Sequence, residues 1–252
     1  MTPCDFLLVI PAYNEGKRLP GFLKPLLQAL CDSEHDVQVL VVDDGSSPKN
    51  KQQKRRLIED LQTKYPFLRD LMVQKENQGK GAAVRRGWQD GPQAHWYAFV
   101  DADGSISPQE IVRLMNRAKA PQDELHGSIF ASRIKMLGLK VERERLRHYW
   151  GRIFATLVGW LLHEDVYDSQ CGYKLLRAAA WEKIDGRLVE DGFAFDVELL
   201  VALIEADEMI YEVPIHWKHQ KGSQLSLLRD SIKMFCSLLQ INQRRKRGFY
   251  KP

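Results

Sequence analysis

Two aspartates stand two positions apart where an apolar run breaks off: Tyr97, Ala98, Phe99 and Val100 lead straight into Asp101-Ala102-Asp103-Gly104. Residues two apart on a strand share a face, so carboxylates at a strand end converge on one point beyond it. Two hard oxygen donors there suit Mg²⁺ or Mn²⁺, which usually joins protein carboxylates to substrate phosphates. Asp and Gly also favour plain turns, so this stretch alone reads equally well as a strand-to-loop turn.

Two other apolar runs end in a similar way. Phe6 to Ile10 precedes Pro11-Ala12-Tyr13-Asn14-Glu15, and Val37 to Val42 precedes Asp43-Asp44-Gly45-Ser46. Acids gathered at three neighbouring strand ends repel one another unless something positive lies between them. A metal with a cradle for sugar or ribose hydroxyls would account for the pattern, whereas chance acidic turns account for one such end more easily than for three. Asp191 and Asp196 are the carboxylates that could serve a hydroxyl acceptor as general base; each also reads as a structural or substrate-orienting residue.

The elements that must position these groups are legible from periodicity. Leu19, Phe22, Leu23, Leu26, Leu27 and Leu30 recur at helical spacing and predict a helix over Leu19 to Cys31. Further helices are predicted from Lys51 to Lys64, from Ala82 to Trp88, and from Ser107-Pro108 onward, where Ser107 is the N-cap and Glu110 completes a capping box. Strands are predicted over Phe6 to Ile10, Val37 to Val42, Leu68 to Val73 and Tyr97 to Val100. Strand–helix alternation with continuously apolar strands implies an α/β domain, a mostly parallel sheet with flanking helices, whose ligand lies beyond the carboxyl ends of the strands.

After about residue 120 the pattern changes. A strand is predicted over Gly127 to Ser132, then a charged stretch, Lys140 to Arg147. A helix over Tyr149 to Leu162 reads as core, with an interfacial membrane helix as the alternative. Asp168 to Lys174 is a polar loop entering a short strand. The stretch Glu190 to Ala206 combines a polar start, Glu190-Asp191-Gly192, with a helix; that helix and one over about Leu225 to Asn242 flank a strand over Met209 to Pro214. Arg244-Arg245-Lys246-Arg247 forms a basic tail, read as a solvated terminus, with attraction to anionic lipid as the alternative. One domain over 1–242 and a tail over 243–252 are expected.

The composition is that of a globular protein: 252 residues, 44% hydrophobic, 28% charged, with a net charge of +4 compatible with anionic substrates. Nothing points to nucleic acid. Cys4, Cys31, Cys171 and Cys236 are scattered and read as free thiols of a reducing compartment. The short apolar run at the N-terminus does not read as a signal peptide, and no run approaches a membrane span of about 20 residues. A cytoplasmic protein is expected, in contact with a membrane only peripherally, on its cytoplasmic face, or through a membrane-protein partner.

Taken together, the motifs resemble a known family. Pro11-Ala12-Tyr13-Asn14-Glu15, Asp43-Asp44-Gly45-Ser46, Asn77-Gln78-Gly79-Lys80-Gly81 and Asp101-Ala102-Asp103 follow the order and spacing of family 2 glycosyltransferases with the GT-A fold. Ala131-Ser132-Arg133, Asp168-Ser169-Gln170-Cys171-Gly172-Tyr173-Lys174, Phe193-Ala194-Phe195-Asp196-Val197-Glu198-Leu199, Glu212-Val213-Pro214-Ile215 and Gly222-Ser223 resemble its dolichyl- or polyprenyl-phosphate branch, the glucosyl members most closely.

The resemblance implies a nucleotide-sugar-binding half over 1–120 and an acceptor-side half over 121–242. It places Pro11, Ala12, Tyr13 and Glu15 around the nucleotide, Asp43 and Asp44 toward the base, and Gly79 and Lys80 against the donor. Asp101 and Asp103, flanking Ala102, would hold Mg²⁺ or Mn²⁺ on the diphosphate. Arg133 would lie near the phosphates, Lys221 and Arg229 would close over donor or acceptor, Gln170 would contact the substrate and Asp191 would take part in catalysis. Ser105 occupies the position where some mannosyl members carry a Gln as an extra metal ligand. The implied reaction is inverting transfer of a hexose from a nucleotide sugar, UDP-glucose favoured, to a lipid-phosphate acceptor.

One alternative keeps the family but uses a soluble or glycan hydroxyl acceptor. A more remote one is a haloacid dehalogenase-type phosphatase, whose Asp-x-Asp-Gly motif the segment Asp101 to Gly104 resembles, with Asp101 as nucleophile and Asp103 as acid.

Overall fold

Strand β1 (Cys4–Ala12) runs at the centre of the molecule. Phe6, Leu8 and Ile10 feed a core on one face of the sheet while Leu7 and Val9 feed a second core on the other. A strand buried on both faces has no polar side, which is why its sequence is continuously apolar. In the computed structural model, residues 2–120, 127–134, 141–142, 159, 167–218, 220 and 227–252 are described. The predicted helix over Tyr149 to Leu162 apart from residue 159, the charged stretch Lys140 to Arg147 apart from residues 141–142, and Lys221 to Ser223 lie outside them.

Around β1 the chain alternates as its periodicity predicts: α1 (Leu19–Cys31), β2 (Val37–Asp43), α2 (Pro48–Gln62), β3 (Met72–Val73), α3 (Lys80–Asp90), β4 (Ala94–Val100) and α4 (Pro108–Ala118). Then follow β5 (Ser128–Ser132), β6 (Val141–Glu142), β7 (Tyr173–Arg177), α5 (Ala178–Ile184), α6 (Phe195–Glu205), β8 (Ile210–Pro214), β9 (Trp217–Lys218) and α7 (Leu227–Lys246). The seven-stranded sheet has the order β3-β2-β1-β4-β7-β5-β8, and β6 pairs with β9 in a separate ribbon. Helices α1 and α4 cover one face; α3, α5, α6 and α7 cover the other.

The sheet is mostly parallel, as expected, with one departure. Strand β7 enters between β4 and β5 and runs antiparallel to both. Its register sets Tyr173 opposite Val100, so the loop before β7 arrives at the same edge as the loop after β4. This is the step that brings Gly172 and Lys174 to Asp101.

The boundaries differ from sequence expectation where tertiary contacts decide them. Strand β3 is confined to Met72 and Val73, with Leu68 joined to Val39 by a single bridge. Helix α6 starts at Phe195, after the polar start read at residues 190–192, because residues 189–192 form a loop clamped onto α3. Helix α7 continues past Asn242 to Lys246. Arg244 and Arg245 face inward to Glu198 and Glu205, and Tyr250 is fully buried. That arrangement departs from a solvated tail, since both arginines have carboxylate partners on α6.

Candidate active site

Asp101 is the first residue beyond β4, and its amide donates to the carbonyl of Gly172 at 2.9 Å. Lys80 opens α3 and places Nζ 2.9 Å from Asp101 Oδ1 and 2.9 Å from Asp196 Oδ2. The other oxygen of Asp196 pairs with Lys174 of β7, whose Nζ also donates to the carbonyl of Cys171 at 2.9 Å. Four charges of alternating sign therefore run from the cleft into the core. Lys174 and Asp196 are buried, while the Asp101 side chain is 39% exposed.

The electrostatics follow from that gradient. Burial opposes ionisation of Asp196, but Lys174 and Lys80 outweigh it and hold the carboxyl below its usual range. Asp101 moves the other way: crowding by protein atoms raises it, Lys80 lowers it, and the charges of Asp103 and Asp196 raise it again. Burial works against the Lys80 charge, and Asp101 and Asp196 more than offset it, leaving a firmly protonated cation.

Asp103 sits on the turn beyond. Its Oδ1 accepts from the Ser105 amide at 2.8 Å, and Gly104 supplies the left-handed backbone (φ +71°) that turns the chain away. Among the described residues, no hydrogen-bond donor meets Asp103 Oδ2. A cleft of about 350 Å³ opens beside it, walled by Arg18, Phe22, Pro25, Ile106 and Pro108. Gln220 closes one end by donating to the carbonyl of Gly104 at 3.2 Å. Arg18 gives its Nε to Glu15 at 2.7 Å; that bond first, and the Asp103 charge further off, raise its pKa.

The remaining predicted residues divide. Tyr13 is exposed, Pro11 half-buried, and Glu15 is engaged by Arg18. Ala12 and Ala102 are buried, so only their backbones can meet a ligand. The Ala12 carbonyl accepts from Lys54 Nζ at 2.9 Å. Asp43 is fully buried: Lys54 pairs with one oxygen and the Ser46 amide donates to the other at 2.9 Å. Asp44 binds Gln78 N at 2.8 Å, Gly79 N at 2.9 Å and Asn77 Nδ2 at 3.0 Å. Both acids thus have protein partners.

Arg133 makes a two-pronged pair with Asp168, 2.7 Å at each prong, and lies over the Trp217 ring. Gln170 is half-buried in the next loop. Asp191 pairs with Arg85 and lends its carbonyl to Gly81 N at 2.7 Å, capping α3. Lys221 lies outside the described residues, and Arg229 is in the first turn of α7.

Sequence reasoning assigned no role to Lys54, Lys174, Arg18 or Gly172. A Cβ at Gly172 would overlap Asp101 Oδ2, so glycine there is what lets β7 pass the carboxylate. The strand pattern carried no signal for that contact, because it depends on the antiparallel insertion of β7.

The family model described as "Glycosyl transferase family 2" matches residues 7–184. The chain belongs to this family. It is 30% identical over 97% of its length to the dolichyl-phosphate beta-glucosyltransferase of Saccharomyces cerevisiae, covering 76% of that protein. It is 29% identical to the human protein of that name, over the same shares of both chains. Among solved structures, glucosyl-3-phosphoglycerate synthase of Mycobacterium tuberculosis, in complex with Mn²⁺, UDP-glucose and phosphoglyceric acid, superposes with a TM-score of 0.69 at 15% identity, over 99% of this chain and 81% of that one. The chain is a nucleotide-sugar-dependent glycosyltransferase with the GT-A fold, and the phosphatase alternative is set aside by membership of the family.

The donor set fits a divalent cation. Mg²⁺ or Mn²⁺ takes one or two protein carboxylates and completes its shell with water and phosphate oxygens. Asp103 Oδ2 without a donor and the half-open Asp101 supply that. Among the described residues, no cluster of three or more acidic, His or Cys side chains forms a closed cage.

Proposed function

We propose that this glycosyltransferase moves glucose from UDP-glucose to dolichyl or another polyprenyl phosphate, with inversion at the anomeric carbon. Asp101 and Asp103 would hold Mg²⁺ or Mn²⁺ against the donor diphosphate. The bound cation would offset charge on the leaving phosphate as a Lewis acid. The names of the relatives supply the sugar and the lipid.

One observation carries the choice of acceptor: both candidate bases are already engaged by cations. Asp191 is tied to Arg85, and Asp196 lies between two lysines with its proton affinity depressed. A hydroxyl acceptor needs a base to take its proton, whereas a phosphate monoester is already anionic at neutral pH. The arrangement therefore favours the lipid phosphate over a soluble or glycan hydroxyl.

In this reading Lys80 keeps Asp101 ionised and presents positive charge to the diphosphate once the donor is seated. Arg18, at the rim of the cleft beside Asp103, offers a second cation to the phosphates. Arg133 is held rigid by Asp168 and Trp217. Because a polyprenyl acceptor resides in a membrane, the proposed setting is the cytoplasmic face of one, reached peripherally or with a membrane-protein partner.

The test incubates the protein with UDP-glucose or GDP-mannose, with or without Mn²⁺, and with polyprenyl phosphate. An acid-labile glucolipid that needs UDP-glucose, metal and lipid phosphate together is expected. Transfer to a sugar hydroxyl with no glucolipid would overturn the acceptor, and undiminished turnover after EDTA would overturn the metal.

A further inference from the structure

The chemistry described above uses nothing beyond Gln220, yet the C-terminal segment reaches a buried polar node outside the cleft, centred on Glu198 of α6. Glu198, fully buried on α6, takes four donors on its two oxygens. Oε2 accepts the amides of Val189 at 2.9 Å and Glu190 at 2.6 Å. Oε1 accepts Tyr250 Oη at 2.8 Å and, more distantly, Arg244 at 3.4 Å. Tyr250 is itself fully buried although it stands two residues from the end of the chain.

What Glu198 holds is the loop over residues 189–192, and that loop is clamped onto the start of α3. The Asp191 carbonyl accepts from Gly81 N at 2.7 Å and Ala82 N at 3.3 Å. The Glu190 carbonyl accepts from Arg85, and the Glu190 side chain accepts from Ser237 Oγ of α7 at 3.1 Å. Contact is close enough that a Cβ at Gly79 would overlap the Asp191 carbonyl, and one at Gly81 would overlap the Glu190 carbonyl. Between those glycines lies Lys80, the residue that grips Asp101.

We infer that Tyr250 and Glu198 are positioning residues for the active site: through the loop over 189–192 they fix the first turn of α3 and so set where Lys80 meets Asp101. The C-terminal segment is thus a latch on the catalytic lysine. The connection is continuous, running Tyr250, Glu198, the 189 and 190 amides, the Asp191 carbonyl, the Gly81 amide and Lys80. Glu198 is an anchor suited to the task because each of its oxygens takes two donors, and removing the Tyr250 hydroxyl leaves Oε1 only the longer contact from Arg244. The inference about the turn of α3 stands on geometry alone; its effect on turnover rests on the proposed donor.

The experiment compares wild type with Tyr250→Phe, which keeps the ring and removes the hydroxyl, and with Glu198→Gln. Amide hydrogen exchange is followed at Gly81 and Ala82 and, as a control, along Phe6 to Ile10. Exchange at Gly81 and Ala82 is expected to accelerate about tenfold in Tyr250→Phe while β1 is unchanged, the factor for loss of one buried hydrogen bond of about 1.4 kcal/mol. Glu198→Gln is expected to accelerate it further. Kinetics with UDP-glucose should show kcat falling more than KM rises. Unchanged exchange at Gly81 and Ala82, or uniform acceleration that includes β1, would overturn the latch. Altered exchange in a protein that turns over no UDP-glucose would leave the latch standing and sink the donor assignment instead.

Discussion

Two lysine–aspartate pairs sit at strand ends on either side of β1 and do opposite things. At the end of β2, Lys54 and Asp43 pair and are both fully buried, and Lys54 also bonds the Ala12 carbonyl and Ser46 Oγ. At the end of β4, Lys80 and Asp101 also pair directly, but Asp101 is open on one side and Asp103 beyond it keeps an oxygen that no donor among the described residues meets. The first pair is closed and holds loops together. The second is incomplete and has capacity left for a ligand. Neutralisation that stops short is what separates a site from a scaffold here.

The sharpest way to break the comparison is Asp103→Asn. It removes one charge from the open end and leaves the Ser105 turn an oxygen acceptor. Transfer should fall by about 10²–10³-fold, the scale of losing one electrostatic contact to a transition state. Donor binding by calorimetry should lose its dependence on Mn²⁺, while the urea midpoint barely moves. Retained Mn²⁺-dependent binding would remove Asp103 from the site.

The same exchange at the two lysines tests the contrast directly. Lys54→Met strands a buried carboxylate and should cost about 3–5 kcal/mol of stability by urea unfolding. Lys80→Met should cost less stability, since water reaches Asp101, and more turnover, by about 10–100-fold. If both variants lose stability and rate in the same proportion, the two pairs are equivalent and the distinction fails.

Sequence patterning carried the architecture further than the site. Buried central strands read as unbroken apolar runs because both faces of β1, β2 and β4 are covered, and α1 showed its inward stripe from Leu19 to Leu30. The acids at the strand ends were equally visible. What the pattern lacked was partners. Asp43 and Asp101 look alike in sequence, and the lysines that distinguish them stand 11 positions downstream in one case and 21 upstream in the other. The antiparallel β7, which brings Lys174 and Gly172 to the site, arrives from about 70 residues away by a register that no local periodicity encodes. The resemblance to known glycosyltransferases named the motifs but could not say which acids point at protein.

Gly172→Ala probes that register. The added methyl overlaps Asp101 Oδ2 and must displace it, so activity should fall about 10–100-fold, in line with the sensitivity of catalysis to displacements of order 1 Å. Arg18→Ala should act more mildly, raising KM for the donor about 3–10-fold, the scale of one exposed charge contact of about 1 kcal/mol. A larger effect on kcat than on KM would move Arg18 from binding the donor to stabilising the transition state.

The smallest effect concerns acid stability. Burial opposes ionisation of Asp168, but Arg133 outweighs it and holds the carboxyl below its ordinary value of 3.8. The unfolded chain therefore binds the Asp168 proton more readily than the folded one as pH falls. Its contribution is complete above the ordinary carboxylate range and is lost as pH drops through the folded value, so stability rises with pH across that window. Asp44 acts in the opposite sense, because burial raises its proton affinity in the folded state. The wild-type slope is a net of such groups, and the informative quantity is a difference between slopes. Asp168→Asn should be less stable at neutral pH, with the half-buried Arg133 left beside an amide. Between about pH 4 and pH 2 its urea midpoint should fall less steeply than that of wild type, by up to one proton's worth, about 1.4 kcal/mol per pH unit. An identical slope in the two proteins would mean that Arg133 does not depress Asp168, and that their pair, like Lys54 and Asp43, is best read as scaffold.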